Sequence, residues 1–437
     1  MMRRGRVFHM HEGTDDVSKV VLAFSGGLDT TYCAVWLREQ GHEVHTVTAN
    51  TGGFDGDELA LIERRAAQAR AASHTLIDAR AELVDDYLRY LIFANALRGD
   101  VYPLCVSAER VVQARRTAQH AVAIGAAALA HGSTGAGNDQ VRFDVAFRVV
   151  APQLAVLTPI RDQGLSREQE VEYLKRHGID IPLRTAKYSY NRGIWGATIG
   201  GGETHRSDGV LPEEAYVLTA PPELRPTTRE VLEIEFAGGV PVAMRGQGAA
   251  PADGRSHGAE AGAGRAVERL ERLNVIAGRH GVGRGMHVGD TILGIKGRVA
   301  FEAPAAVVLI AAHRELEKLV LSRQQAFWKR TLGELYGALL HEGRYFDPLM
   351  RDVEAFLASS QQRVSGVATV QLLGGQATVL GVSSPYSLMN SELARYGEGS
   401  ALWSGAEAAA FCKIYGLQDA LLAKAARAAG GAHAAVD

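Results

Sequence analysis

Residues 19–31 read KVVLAFSGGLDTT. The run from Lys19 to Phe24 is apolar and short, the length of a buried strand, and it stops abruptly at Ser25-Gly26-Gly27. From Leu28 to Gln40 the apolar positions Leu28, Cys33, Val35, Trp36 and Leu37 suit a helix. A strand that breaks on two glycines into a helix suits a ligand. Glycine lets the backbone turn tightly and approach closely, and the free N–H groups at a helix start face an anion. Ser25, Thr30 and Thr31 add hydroxyls, while Asp29 fits beside phosphate only if it holds a cation such as Mg²⁺ or orients a donor. The spacing is neither GxxxxGK[ST] nor GxGxxG.

Working outward, strands are expected at 43–49, 74–77, 127–131 and 154–157, with helices at 57–72, 79–95, 107–124 and 166–177. Such alternation predicts a doubly wound α/β domain, a parallel sheet covered on both faces. Its ligand region lies at the carboxyl ends of the strands. The first and fourth strands both run into Gly- and Ser-containing loops, which share one crevice if the two strands are neighbours. After residue 180 the pattern changes. Residues 183–220 show few clear elements, 231–236 reads as a strand, and 265–279, 305–322 and 326–341 as helices. Residues 367–381 suggest a hairpin and 406–429 a terminal helix. The expected division is a tail at 1–17, a nucleotide-binding domain at 18–181, an α+β domain at 182–402 with a flexible insertion at 246–264, and a C-terminal helix and tail at 403–437.

Composition excludes several classes. The chain has 437 residues, room for about two to four domains, with 46% hydrophobic and 22% charged residues, so disorder over most of its length is not expected. The net charge is −2 with no basic run, against a nucleic-acid surface. The three cysteines, Cys33, Cys105 and Cys412, form no CxxC pair and no zinc spacing, which fits a reduced compartment. The basic N-terminus lacks the apolar core of a signal peptide, and no stretch of about 18 apolar residues predicts a membrane span. A cytoplasmic location is expected.

The second informative stretch, residues 131–143, reads HGSTGAGNDQVRF. Gly132, Gly135 and Gly137 allow close backbone approach, and Thr134, Asn138, Asp139 and Arg142 project polar groups of both signs. An amino acid ligand needs that mixture, a carboxylate for its ammonium and donors for its carboxylate.

The first loop resembles the pyrophosphate loop of the ATP pyrophosphatases, and with the second the chain resembles argininosuccinate synthase. The likeness extends from about residue 19 to 400 and includes Ala49-Asn50-Thr51-Gly52, Tyr102, Ser107, Arg110, Tyr188-Ser189, Gly281-Val282-Gly283-Arg284 and Ser384-Pro385-Tyr386. The resemblance implies a nucleotide-binding domain, a synthetase domain and a C-terminal oligomerisation helix of a homotetramer. It also implies ATP as substrate with Mg²⁺, and ligation of citrulline and aspartate in arginine biosynthesis. Ala23, Phe24, Ser25, Gly26, Gly27, Leu28, Asp29, Thr30, Thr31, Ala49 and Gly132 would bind ATP, with Asp29 toward Mg²⁺. Thr134, Asn138 and Asp139 would bind aspartate; Tyr102, Ser107, Asn138, Arg142, Ser189 and Thr198 would bind citrulline. No covalent nucleophile is implied. Asp139 or a substrate phosphate could take the amine proton.

The chain departs from the family on one wall. Where many members have Glu, Asn and Tyr, it has Gly289, Asp290 and Phe301, and Ala136 replaces a common Lys. An ammonium left unpaired there would be costly. Either another carboxylate compensates, with Asp290, Glu203 and Glu302 as candidates, or the acceptor differs, for example an N-acylated citrulline or another ureido compound. An ATP-binding relative without turnover is a third reading, and intact Ser25, Asp29, Asn138, Asp139 and Arg142 argue against it.

Overall fold

A computed structural model describes residues 18–181, 187–246, 263–389, 392–393 and 402–428. The expected tail at 1–17 lies outside the described residues, as does the expected insertion apart from its two ends. Described residues up to Tyr386 pack as one compact unit and those from Ser387 on as another.

The first unit opens with β1 (Lys19–Ala23), α1 (Leu28–Glu39), β2 (Glu43–Asn50), α2 (Gly56–Gln68) and β3 (Ser73–Asp78). A helix follows in two pieces, α3 (Arg80–Leu83) and α4 (Arg89–Ala94), joined by a π-helical turn at Val84–Leu88 where one continuous helix was expected. Then come α5 (Ser107–Ala123), β4 (Ala128–Ala130), α6 (Asp139–Val150), β5 (Ala155–Leu157), α7 (Pro159–Gln163) and α8 (Arg167–Arg176). The sheet order is β3-β2-β1-β4-β5, all parallel. Alternation along β1 explains the double winding. Val20 and Leu22 pack with Cys33, Val35 and Leu37 of α1 on one face. Val21 packs on the other face with Ala114 and Ala118 of α5 and Phe147 of α6.

β1 and β4 are hydrogen-bonded neighbours, with Leu22 opposite Ala130. The strand order reverses between them, so the loops at 24–27 and 131–138 leave side by side.

Residues 187–220 are more structured than the composition of 183–220 suggests. It holds the hairpin β6 (Tyr188–Gly193) and β7 (Gly196–Gly201). Glycine and small residues hid the alternation, and the turn residue Trp195 is fully buried, its indole N–H donating to the Pro103 carbonyl at 2.8 Å. Beyond it lie β8 (Glu230–Ala237), β9 (Val240–Gly246), α9 (Ala263–Arg279), β10 (Arg284–Asp290), β11 (Lys296–Glu302), α10 (Pro304–Val320), α11 (Arg323–His341), α12 (Pro348–Ser360), β12 (Gly366–Leu373) and β13 (Gln376–Ser383). They add two antiparallel sheets, β10-β11-β7-β6 and β13-β12-β8-β9, giving the α+β part expected after the parallel sheet. The largest core joins α4, α5, α9, α10, α11 and α12 to β8 and β12.

In the second unit, α13 (Gly405–Tyr415) and α14 (Leu417–Ala428) stand where a single helix was expected, and they meet at Gly416. A Ser404–Glu407 capping box starts α13.

Candidate active site

A cavity of about 1140 Å³ opens at the carboxyl ends of β1 and β4, walled by α5, α6, the β6–β7 hairpin and β10–β11. Gly26 turns the first loop in the left-handed region at φ +66°, and Arg65 donates to its carbonyl. Gly27 caps α1, with Thr31 Oγ1 donating to its carbonyl at 2.7 Å. The two loops touch: a Cβ at Gly132 would stand 3.2 Å from Thr30 Cγ2, so only glycine fits there without displacing its neighbour.

The second loop is held from below. Ser133 N–H donates to His131 Nδ1 at 3.2 Å, which leaves Nε2–H to donate to Asp144 at 2.8 Å. Asn138 precedes α6, and its Oδ1 accepts the Ile292 N–H at 2.9 Å, fastening the β10–β11 turn to the loop. The helix begins at Asp139, so Asp139 and Arg142 share its first turn.

Asp139 lies between two guanidiniums. Arg110 Nε–H donates to one oxygen at 2.9 Å and Arg142 Nη1–H to the other at 3.0 Å. Burial alone would raise its pKa, but the two arginines outweigh burial and hold it at about 2. So acidic a carboxyl is a poor proton acceptor, which disfavours Asp139 as the general base. Arg142 is 3% exposed and gives Nε–H and an Nη2–H to the carbonyl of His341 at the end of α11. Arg110 also donates to Asn191 Oδ1 at 2.7 Å, joining the parallel sheet's helix to the β6–β7 hairpin.

Most sequence-predicted residues converge here. Ala23, Phe24, Ser25, Gly27, Leu28, Asp29, Thr30, Ala49 and Gly132 line the cavity, as do Thr134, Asn138, Asp139, Tyr102, Arg142, Ser189, Thr198, Gly289 and Asp290. Four lie behind the lining. Gly26 forms the turn, and Thr31 is buried with its hydroxyl spent on Gly27. Ser107 is buried and reached through Arg142 Nη2 at 3.5 Å. Phe301 packs under Tyr102, ring centroids 5.2 Å apart.

Of the three carboxylates that could replace the family's Glu, only Asp290 lines the cavity, and Lys296 pairs with it at 2.8 Å. Glu302 is fully buried and accepts from Val217 N–H, Leu218 N–H and the Thr219 hydroxyl at 2.6–3.1 Å. Glu203 is paired with Lys187 and the Tyr188 hydroxyl, which hold its pKa at about 2.

Sequence reasoning missed Arg98, Glu170, Asn191, His287 and His341 in the lining, and gave Arg110 no role. Glu170 sits mid-helix on α8 with no motif around it. It is 2% exposed, and burial together with the nearby Asp29 carboxylate raises its pKa. Two carboxyl groups at the glycine loop form a donor set that fits a divalent cation arriving with a phosphate ligand, the Glu170 proton leaving as the cation binds. Among the described residues there is no cluster of three or more metal-ligating side chains.

The N-terminal HUP domain model of arginosuccinate synthase matches residues 19–180, and the C-terminal domain model of the same enzyme matches 188–422. The chain belongs to the argininosuccinate synthase family. Curated argininosuccinate synthases align over most of it. That of Methanocaldococcus jannaschii is 41% identical over 91% of this chain and 96% of its own length. That of Rubrobacter xylanophilus is 38% identical over 91% and 93%; that of Xanthomonas campestris pv. campestris is 38% identical over 93% and 99%. Both glycine loops lie within the stretch matched by the N-terminal domain model of the argininosuccinate synthase family.

Proposed function

We propose that this chain ligates citrulline and aspartate at the expense of ATP, forming argininosuccinate, AMP and pyrophosphate in arginine biosynthesis. Its support is the side-by-side exit of the two glycine loops from β1 and β4 in a chain matched nearly end to end by its family. The ureido oxygen bonds the α-phosphorus as the bond to pyrophosphate breaks. The aspartate nitrogen then bonds the ureido carbon as its C–O bond to AMP breaks. The amine proton leaves to a substrate phosphate or solvent. With no covalent intermediate, the protein contributes position and charge.

Ser25 to Thr30, Ala49 and Gly132 hold ATP in this reading, and Asp29 with Glu170 would hold the Mg²⁺ that travels with it. That ion would neutralise phosphate charge. Thr134, Asn138 and Asp139 receive aspartate, and Tyr102, Arg142, Ser189 and Thr198 the ureido substrate. Arg110 and Arg142 keep Asp139 ionised at neutral pH. The domain division at 18–181, 182–402 and 403–437 belongs to the same proposal, as do a cytoplasmic location and a homotetramer. In support of the last, α13 and α14 expose Phe411, Ile414, Tyr415, Leu417, Leu421 and Leu422. No helix among the described residues is long and apolar enough to cross a membrane.

The test is pyrophosphate release by the purified protein with ATP, Mg²⁺, aspartate and a ureido amino acid. Release that requires all of them supports the reading; ATP binding without release on any ureido acceptor overturns it.

A further inference from the structure

At the wall formed by β10, a histidine fills the space of a missing side chain. A Cβ on Gly289 would stand 2.4 Å from His287 Nε2, two residues earlier on the same strand face. The His287 ring stacks on Tyr102, centroids 5.7 Å apart and planes within 19°, and both rings line the cavity. His287 Nε2 is buried without a hydrogen-bond partner.

A second imidazole repeats the pattern. His341 lines the same cavity, and Arg142 Nη2 lies 3.3 Å from its Nδ1. A guanidinium only donates, so Nδ1 accepts and the ring proton sits on Nε2. That nitrogen too is buried and unpartnered. Unpaired buried nitrogens are costly in a native fold, and two in one cavity wall point to a ligand that completes them.

The charge around these rings is unsuited to a free ammonium. Burial, Arg142 and Arg98 push His341 down to about 3, and burial and Arg98 lower His287, so both rings are neutral. The nearby carboxylates are engaged: Asp139 by two arginines, Asp290 by Lys296. Arg98 completes a wall richer in donors than in anions.

We propose that His287 and His341 read the amino end of the acceptor, and that the acceptor preferred by this chain is an Nα-acylated ureido amino acid, its ammonium replaced by an amide. The amide offers a carbonyl to His341 Nε2–H and an N–H to a neutral ring nitrogen of His287. The proposal rests on the ligase reading above and replaces its citrulline acceptor with the Nα-acylated form. The ureido atoms react as before, and the product is the N-acylated argininosuccinate.

The deciding measurement is kcat/KM from pyrophosphate release by the full-length protein, with N-acetylcitrulline and with citrulline as acceptors. At least a tenfold advantage for N-acetylcitrulline is expected. A smaller or reversed ratio overturns the proposal and leaves the ligase reading standing; no release with either acceptor overturns that reading as well. His287→Ala and His341→Gln should each reduce the ratio at least fivefold through KM for N-acetylcitrulline. Equal losses on both acceptors would mark that residue as structural and overturn its assignment. Where a variant does not fold, the ratio of the unaltered protein decides.

Discussion

Arg110 Nε–H donates to Asp139 Oδ2 at 2.9 Å, and this bond ties the middle of the cavity wall on α5 to the first turn of α6. Its two partners are 29 residues apart in sequence, and Asp139 in turn bonds Arg142 at 3.0 Å. A carboxylate shared by two guanidiniums is both a structural clamp and a fixed negative charge on the cavity surface.

Asp139→Asn keeps the shape and removes the charge. Two guanidiniums then lack their counter-ion and the subsite loses its negative charge, and kcat/KM for aspartate should fall roughly 100-fold. ATP affinity should change little. Steady-state kinetics with aspartate varied, beside nucleotide binding by calorimetry, checks the split; parallel losses in both would contradict it.

Stability should fall as pH rises through neutrality. Burial pushes Glu109 up to about 8, with Arg110 pulling it partly back, and burial with Asp29 raises Glu170. Each carboxyl keeps, in the folded protein, a proton that the unfolded chain loses near a pKa of about 4.3. The folded state therefore binds more protons above that pH. The contribution is full below it and is lost as pH climbs through the folded value, at up to about 1.4 kcal/mol per pH unit for each group. Urea midpoints at pH 5.5 and 7.5 measure the slope in the absence of ATP. Glu109→Gln and Glu170→Gln should each flatten it, and an unchanged slope in both would refute the account.

Glu302→Gln separates architecture from binding. The carboxylate accepts from two backbone N–H groups and the Thr219 hydroxyl, and the amide replaces an acceptor oxygen with a donor. A loss of about 2–4 kcal/mol in unfolding free energy is expected, with KM for the ureido substrate within a few-fold of the unaltered protein. A large KM change in a folded variant would return Glu302 to the substrate wall.

Asn138→Ala removes the acceptor for Ile292 N–H and frees the β10–β11 turn from the second loop. One lost hydrogen bond of this kind is worth about 1 kcal/mol of stability. The kinetic effect should be larger, with KM for the ureido substrate up about tenfold, because the wall itself moves. Hydrogen exchange at residues 291–295 should accelerate in the variant.

Phe411→Glu with Leu421→Glu tests the assembly. Both positions are exposed, on α13 and α14. Sedimentation should show a species smaller than the tetramer, with the far-ultraviolet spectrum retained. An unaltered sedimentation coefficient would remove these helices from the subunit interface.

The sequence by itself determined the parallel sheet and the two loops. Both are local: a strand must end on glycine where the backbone turns, and apolar periodicity marks each covering helix. It also carried the pairing of β12 with β13, despite the register shift between Thr369 and Val370. It missed the β6–β7 hairpin, where glycine and small residues erase the alternation, and it missed β10 and β11 as strands.

Only the tertiary structure decided which polar groups are free. Thr31 and Ser107 lie beside motif residues, yet their hydroxyls are spent inside the wall. Glu302 resembled a spare carboxylate until three partners were seen around it. His287 and His341 carry no motif, and they reach one cavity because β10 packs on Tyr102 and the end of α11 on Arg142. Hydrogen-bond satisfaction and charge pairing are sums over neighbours distant in sequence, so residue type and spacing along the chain do not contain them.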